Sequence, residues 1–229
     1  MQQLSLAITN YNRYELTIKS FEKVLNNDRI GDILILDDAS TDGSFEKLNE
    51  YFKDEPKVRL VQQVRNRGMQ RNKRDAVAYS YNDWVILLDS DNELTEHYIE
   101  HIPEVLEPKC IYMPSWAMPR FDYRQFQNIL FDSDSVKQFI GVPFFGACLN
   151  TCNYVCHKET YINAFEYDSE ILEADTINHL YNHLKKGGTF TVVEDMWYNH
   201  LVHDESGFMK NVHKNMADAM SLEKKIKLL

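Results

Sequence analysis

Four short aliphatic runs lie along the first half of the chain, and a stretch with helical spacing of apolar residues separates each from the next. The runs are Leu4–Ile8, Ile33–Leu36, Val58–Val61 and Trp84–Leu88. Between them stand Tyr14–Leu25 (apolar at Leu16, Phe21, Val24 and Leu25), a segment through Leu48 and Phe52, and Met69–Ser80 with Ala76, Val77 and Ala78. A run such as Val85-Ile86-Leu87-Leu88 shows no polar alternation, so it reads as a strand buried on both faces. Strand and helix alternating in units this short imply an α/β fold. Its core is a mainly parallel sheet flanked by helices and joined by right-handed crossovers. Ser40, Thr41 and Asp42 offer N-caps for the second helix, and Thr95 for a fourth that Pro103 limits.

The second half is irregular, broken by Pro114, Pro119 and Pro143 within an aromatic-rich stretch. Order returns with a predicted helix over Glu173–Lys186, closed by Gly187-Gly188, and a strand at Thr189–Val193. Met209–Leu229 is predicted as an amphipathic helix with Met216, Ala219, Leu222, Ile226 and Leu229 on one stripe. That stripe fits packing on the domain, a homodimer contact, or peripheral membrane contact. Packing is favoured, because Asp218 and Glu223 dilute the basic residues. With no repeat or linker, residues 1–229 read as one domain: a first half over 1–95, a second over 96–208, and the terminal helix over 209–229.

A formal charge of −10, from 25 basic and 35 acidic residues, argues against a nucleic-acid partner. No apolar run approaches the ~20 residues that span a bilayer, and the first residues lack the regions of a signal peptide. The expectation is a soluble cytoplasmic protein. Its cysteines, Cys110, Cys148, Cys152 and Cys156, are then reduced thiols. The last three, with His157, lack the paired ligand spacing of a zinc site, so buried thiols are expected.

The greasy fourth run stops on Asp89-Ser90-Asp91, two carboxylates one residue apart. The first ends in Thr9-Asn10-Tyr11-Asn12 and the second in Asp37-Asp38. Open α/β sheets bind ligands at the carboxyl ends of their strands, and a parallel sheet gathers these polar ends on one edge. Any one of them could be a simple Asx turn; three on one edge indicate a site. Carboxylate oxygens suit Mg²⁺ or Mn²⁺, which such sites share with substrate phosphates. A cation so placed lets an acidic protein hold a diphosphate.

Four stretches, "LSLAITNYNR", "ILILDDASTDGS", "RNRGMQRNKRDAVA" and "WVILLDSDN", together resemble glycosyltransferase family 2, with its GT-A fold, over about the first 95 residues. The resemblance implies a nucleotide-diphosphosugar donor, UDP by preference, and a glycan or lipid-linked acceptor. It implies that Asp91 holds Mn²⁺ or Mg²⁺, with Asp89 nearer the ribose and the metal's water shell. Asp38 would accept a hydrogen bond from the base, and Thr9 and Tyr11 would line it. Asn66, Arg71 and Ser90 would contact the nucleotide sugar. The family's glycine after the arginine motif is replaced by Arg74.

Family 2 enzymes generally invert configuration, which requires a base for the acceptor hydroxyl. In the family it belongs to an E-D pair ahead of a glycine. The matching stretch, "ILEADTINHLYNHLKKGG", lacks that dipeptide; it points to Asp175, with Glu173 as runner-up. The "WYNHLVHDESGF" stretch implies a metal role for His203, which matches the family position better than His200. Two alternatives remain: a module that binds nucleotide sugar or glycan without turnover, and a sugar nucleotidyltransferase. The latter would carry a glycine-rich first loop that is lacking here. Adjacent acids on one loop do not make a glycoside hydrolase, and no G-x-G-x-x-G follows the first strand for a dinucleotide.

Overall fold

The computed structural model describes residues 2–171, 174–201 and 211–229. Strands β1 (Leu4–Asn10), β2 (Ile30–Asp37), β3 (Val58–Gln62) and β4 (Trp84–Asp89) alternate with helices α1 (Tyr14–Phe21), α2 (Ser44–Tyr51) and α3 (Met69–Tyr79). The strands pair in parallel in the order β3-β2-β1-β4. Val85, Ile86, Leu87 and Leu88 are each 0% exposed, as are Leu6, Ala7 and Ile8 of the neighbouring strand. Burial on both faces explains the missing alternation. Each such aliphatic side chain contributes about 1.5–3 kcal/mol when removed from water.

Beyond β4 the chain forms β5 (Asn92–Glu93), α4 (Glu96–Glu100), β6 (Cys110–Met113), β7 (Trp116–Met118), β8 (Phe121–Asp122) and β9 (Leu130–Phe131). Then come α5 (Phe145–Leu149), β10 (Val155–His157), α6 (Lys158–Ala164), α7 (Asp175–Lys185), β11 (Thr189–Val192), β12 (Trp197–His200) and α8 (Val212–Ile226). The main sheet continues from β4 through β10, β6, β11 and β9, making eight strands. Strand β10 runs antiparallel to both β4 and β6. A second sheet of four strands, β5-β12-β7-β8, stands beside the strand ends. Neither β10 nor the small sheet has a sequence run long enough to announce it; pairing partners, not propensity, make these two- to four-residue strands.

Local chemistry sets several element ends differently from the sequence expectation. The N-cap position of α2 is Gly43, whose φ of 80° suits glycine, and of the three expected residues Asp42 serves the helix start, accepting from the Ser44 amide at 2.9 Å. Ser40 instead closes the β2 turn onto Asp37. Helix α1 ends at Phe21 and passes into a 3₁₀ turn over Glu22–Val24. Thr95 does cap α4, its Oγ1 accepting from the Tyr98 amide at 3.3 Å. Helix α8 packs against α5 and α7, burying Leu222 and Ile226 and leaving Met216 and Met220 exposed. In the second half, Phe126, Phe131, Phe139, Phe145 and Phe190 pack together within the same hydrophobic core as the sheet, with ring centroids 4.6–6.1 Å apart.

Candidate active site

Parallel registers bring the polar strand ends together: Thr9 lies opposite Asp89, and Asn10 opposite Asp37. The two acids ending β2 have different surroundings. Asp37, 0% exposed, accepts from Asn10 Nδ2 at 2.6 Å and from the Ser40 amide at 2.9 Å; it closes the turn. Asp38 lines the cleft beside it, accepting from the Arg67 amide at 2.7 Å and the Gly68 amide at 2.9 Å. Burial raises the Asp38 pKa above the ordinary carboxylate value, against the pull of those two amides. Its position at the mouth of the loop before α3 depends on them.

Thr9, Tyr11, Asp38, Asn66, Asp89, Asp91 and Asp175 all line one cleft of about 760 Å³. It opens over the carboxyl ends of β1, β2 and β4, and Arg120, Tyr123, Thr151 and Met216 line it too. The volume suits a ligand of nucleotide-sugar size. Tyr11 is 44% exposed at its rim, its ring accessible to a flat partner.

Lys73, on the buried side of α3, joins the two halves of this cleft. Its ammonium lies 3.1 Å from Asp89 and 3.0 Å from Asp175, the first residue of α7. Burial works against the lysine's charge, but the Asp175 and Asp89 carboxylates more than offset it, so its pKa lies above the ordinary value. Burial likewise pushes Asp175 above the usual carboxylate range; Lys73 opposes that shift and the like charge of Asp89 adds to it. The result is a buried carboxylate of raised basicity with the Lys73 ammonium beside it, which suits a general base. Its place in the first turn of α7 gives the carboxylate further support from the helix dipole.

Asp91 faces the cleft with Arg13 Nη1 at 2.9 Å and Asn92 Nδ2 at 3.1 Å. Asn92 in turn meets His200 Nδ1 at 2.8 Å. Oxygen donors of this kind fit a hard divalent cation, and the guanidinium on Asp91 shows that the carboxylate draws positive charge. His203 and Glu173 lie outside the described residues.

Two of the expected residues lie away from the cleft lining. Arg71 does not line the cleft: its guanidinium stacks 3.7 Å from the Tyr167 ring centroid, because the helical turn that aims Lys73 inward carries Arg71 to another side. Ser90, 1% exposed, does not line it either, and its Oγ has no hydrogen-bond partner among the described residues. The D-x-D turn points both acids at the cleft and buries the residue between them. Sequence reasoning missed Lys73 and Arg13. For Lys73 a signal exists: it lies four residues after Met69 and three before Ala76, on the buried face of α3, where a lysine requires acidic partners.

The sequence model of glycosyl transferase family 2 matches residues 5–135, more than half of the chain and all of the strands that build the cleft floor. The chain belongs to glycosyltransferase family 2. A chondroitin synthase of Escherichia coli is 23% identical to this family 2 chain over 230 residues, covering 91% of the chain and 30% of that relative. Glycosyltransferase GlyG of Streptococcus pneumoniae serotype 4 (strain ATCC BAA-334 / TIGR4) is 23% identical over 107 residues, covering 46% of the chain and 36% of the relative. The chain thus spans about a third of the length of these curated relatives. Among solved structures, S. aureus TarS superposes with a TM-score of 0.68 at 12% identity, covering 97% of this chain and 39% of TarS. TarS 1-349 in complex with UDP gives 0.66 at 13% identity, covering 98% of this chain and 65% of that one. The fold is therefore the GT-A type, a sheet flanked by helices with an irregular second half.

Proposed function

We propose that this protein is an inverting, metal-dependent glycosyltransferase that moves a sugar from a nucleotide diphosphosugar, by preference a UDP-sugar, to a hydroxyl of a glycan or lipid-linked acceptor. The observation that carries the reading is Asp175 across one cleft from Asp89 and Asp91, with Lys73 bonded to both Asp175 and Asp89. Residues 1–95 form the donor half and residues 96–208 the acceptor side. The complex of S. aureus TarS 1-349 with UDP, on the same fold, supports the choice of nucleotide.

Thr9, Tyr11, Asp38 and Asn66 bind the nucleoside end at the β1–β2 edge. Asp91 and Asp89 are the residues that would hold Mn²⁺ or Mg²⁺. When bound, such an ion supplies Lewis-acid neutralisation of the leaving diphosphate. Asp175 takes the proton from the attacking hydroxyl at its carboxylate oxygen, on the side opposite the leaving group. Lys73, bonded to that carboxylate, opposes the upward pull of burial on its pKa and holds it in place.

Two measurements test this. Calorimetry with UDP and Mn²⁺ should show metal-stimulated binding in the wild type and its loss in Asp91→Ala. At saturating donor and acceptor, Asp175→Asn should bind donor normally but transfer about 10²–10⁴-fold more slowly, while Glu173→Gln retains most turnover. An inactive Glu173→Gln beside an active Asp175→Asn would exchange their roles; full activity in both would end the base assignment. Donor binding with no product across a panel of sugars would favour the non-catalytic module.

A further inference from the structure

A second group of ligating side chains lies outside the cleft, on the single turn of α4. Among the described residues, His97, Glu100 and His101 are the one set of three or more His, Cys, Asp or Glu residues whose donor atoms all lie within 4.8 Å of one another. None of the three lines the cleft. The i, i+3, i+4 spacing puts them on one side of the helical turn, and the two imidazole rings stand 4.0 Å apart between centroids.

The imidazoles are also prepared as ligands. His101 Nδ1 lies 2.8 Å from the His97 carbonyl oxygen. A carbonyl only accepts, so Nδ1 is the donor, and in the neutral form of the ring this tautomer presents the Nε2 lone pair for coordination. A ring nitrogen donating to a backbone carbonyl is the arrangement that orients metal-bound histidines and raises their basicity. His97 is steadied from its other side by Trp197 of β12, with ring centroids 5.0 Å apart. Only Glu100 is exposed, and its flexible side chain is the member free to close on an ion.

We propose that His97, Glu100 and His101 form a transition-metal site, with Zn²⁺ the best-matched ion, separate from the cation of the transfer reaction. Two imidazole nitrogens and one carboxylate are a borderline-soft donor set, which favours Zn²⁺ over the Mg²⁺ or Mn²⁺ preferred by an all-oxygen set. Bonds of ~2.0–2.1 Å place tetrahedral ligands about 3.3 Å apart, so binding draws the three donors together by side-chain rotation. Three protein ligands leave a fourth position for water. The ion would brace α4, which directly follows the D-x-D turn and β5, against Trp197 of β12. The site does not depend on the transfer reading.

The test is a calorimetric titration of the chelator-stripped full chain with Zn²⁺, repeated with Co²⁺ by visible absorption. The wild type should bind one equivalent that Asp91→Ala retains, that Glu100→Gln weakens, and that the double variant His97→Gln/His101→Gln loses. Co²⁺ in the same site should give the intense bands of a four-coordinate ion, absent from the double variant. Zn²⁺ should raise the melting temperature of the wild type but not of the double variant. Glu100→Gln alters only an exposed side chain, so its result does not hinge on folding, and unchanged UDP binding checks the fold of the double variant. Equal Zn²⁺ stoichiometry and affinity in wild type and double variant, or loss of the equivalent in Asp91→Ala, would overturn the proposal.

Discussion

Lys73 shows how one residue can carry charge balance for a whole site. Its ammonium stands between Asp89 and Asp175, 3% exposed on the lysine side chain and 6% on the Asp175 side chain. Lys73→Met would leave two carboxylates facing each other without a counter-ion. Because the lysine's pKa is raised above its unfolded value, its contribution to stability is fully present at neutral pH and is lost only as pH rises through the folded value. Asp175 runs the other way: the native state holds its proton more tightly than the unfolded chain, so stability falls as pH rises above the unfolded carboxylate value. Removing Lys73 widens that interval. Lys73→Met should therefore cost about 3–5 kcal/mol at neutral pH, with a smaller loss near pH ~4, where the acids begin to protonate; urea unfolding at the two pH values measures both. The acid limb of the transfer rate should also move to higher pH, and Lys73→Arg should restore it in part. A uniform drop in rate at every pH would make Lys73 a packing residue only.

At the scale of elements, α7 was legible to within two residues at each end, but the partner of its first residue was not. Gly187-Gly188 announced the stop, and the bonds there explain why. The Gly187 amide donates to Leu184 at 3.0 Å and the Gly188 amide to His183 at 2.9 Å, the two reverse bonds of a Schellman end. Gly187 has φ of 78°, while a Cβ on Gly188 would fall 2.2 Å from His183 Nε2. Gly187→Ala should cost about 1–2 kcal/mol from the left-handed backbone alone, and Gly188→Ala should cost more because it displaces a buried ring. Chemical denaturation of the two variants checks the order; a neutral Gly187→Ala would contradict it. At the other end, the Asp175 side chain is tied to α3, a hundred residues earlier in sequence, which no local pattern encodes. The same reason hid β10 and the small sheet.

Taken as a whole molecule, the chain keeps all four cysteines buried as free thiols. Burial raises the Cys110 pKa to about 11 and carries those of Cys148, Cys152 and Cys156 higher still. A thiol reagent at pH ~8 should accordingly react slowly with the native protein and with all four thiols in denaturant, since the thiolate is the reactive form; one fast equivalent in the native state would contradict this burial. Among the described residues, no helix is long and apolar enough to cross a membrane. What the sequence by itself determined was the strand-helix alternation, the parallel core and the gathering of Thr9, Asp38, Asp89 and Asp91 at one edge. Each of these follows from local periodicity and from the rule that parallel strands end together. Only the tertiary structure decided that Arg71 turns away onto Tyr167, that Ser90 is buried, and that Lys73 bridges the D-x-D turn to Asp175. Those outcomes rest on which helix face meets which neighbour, and contacts between segments far apart in the chain leave no periodic trace within either one.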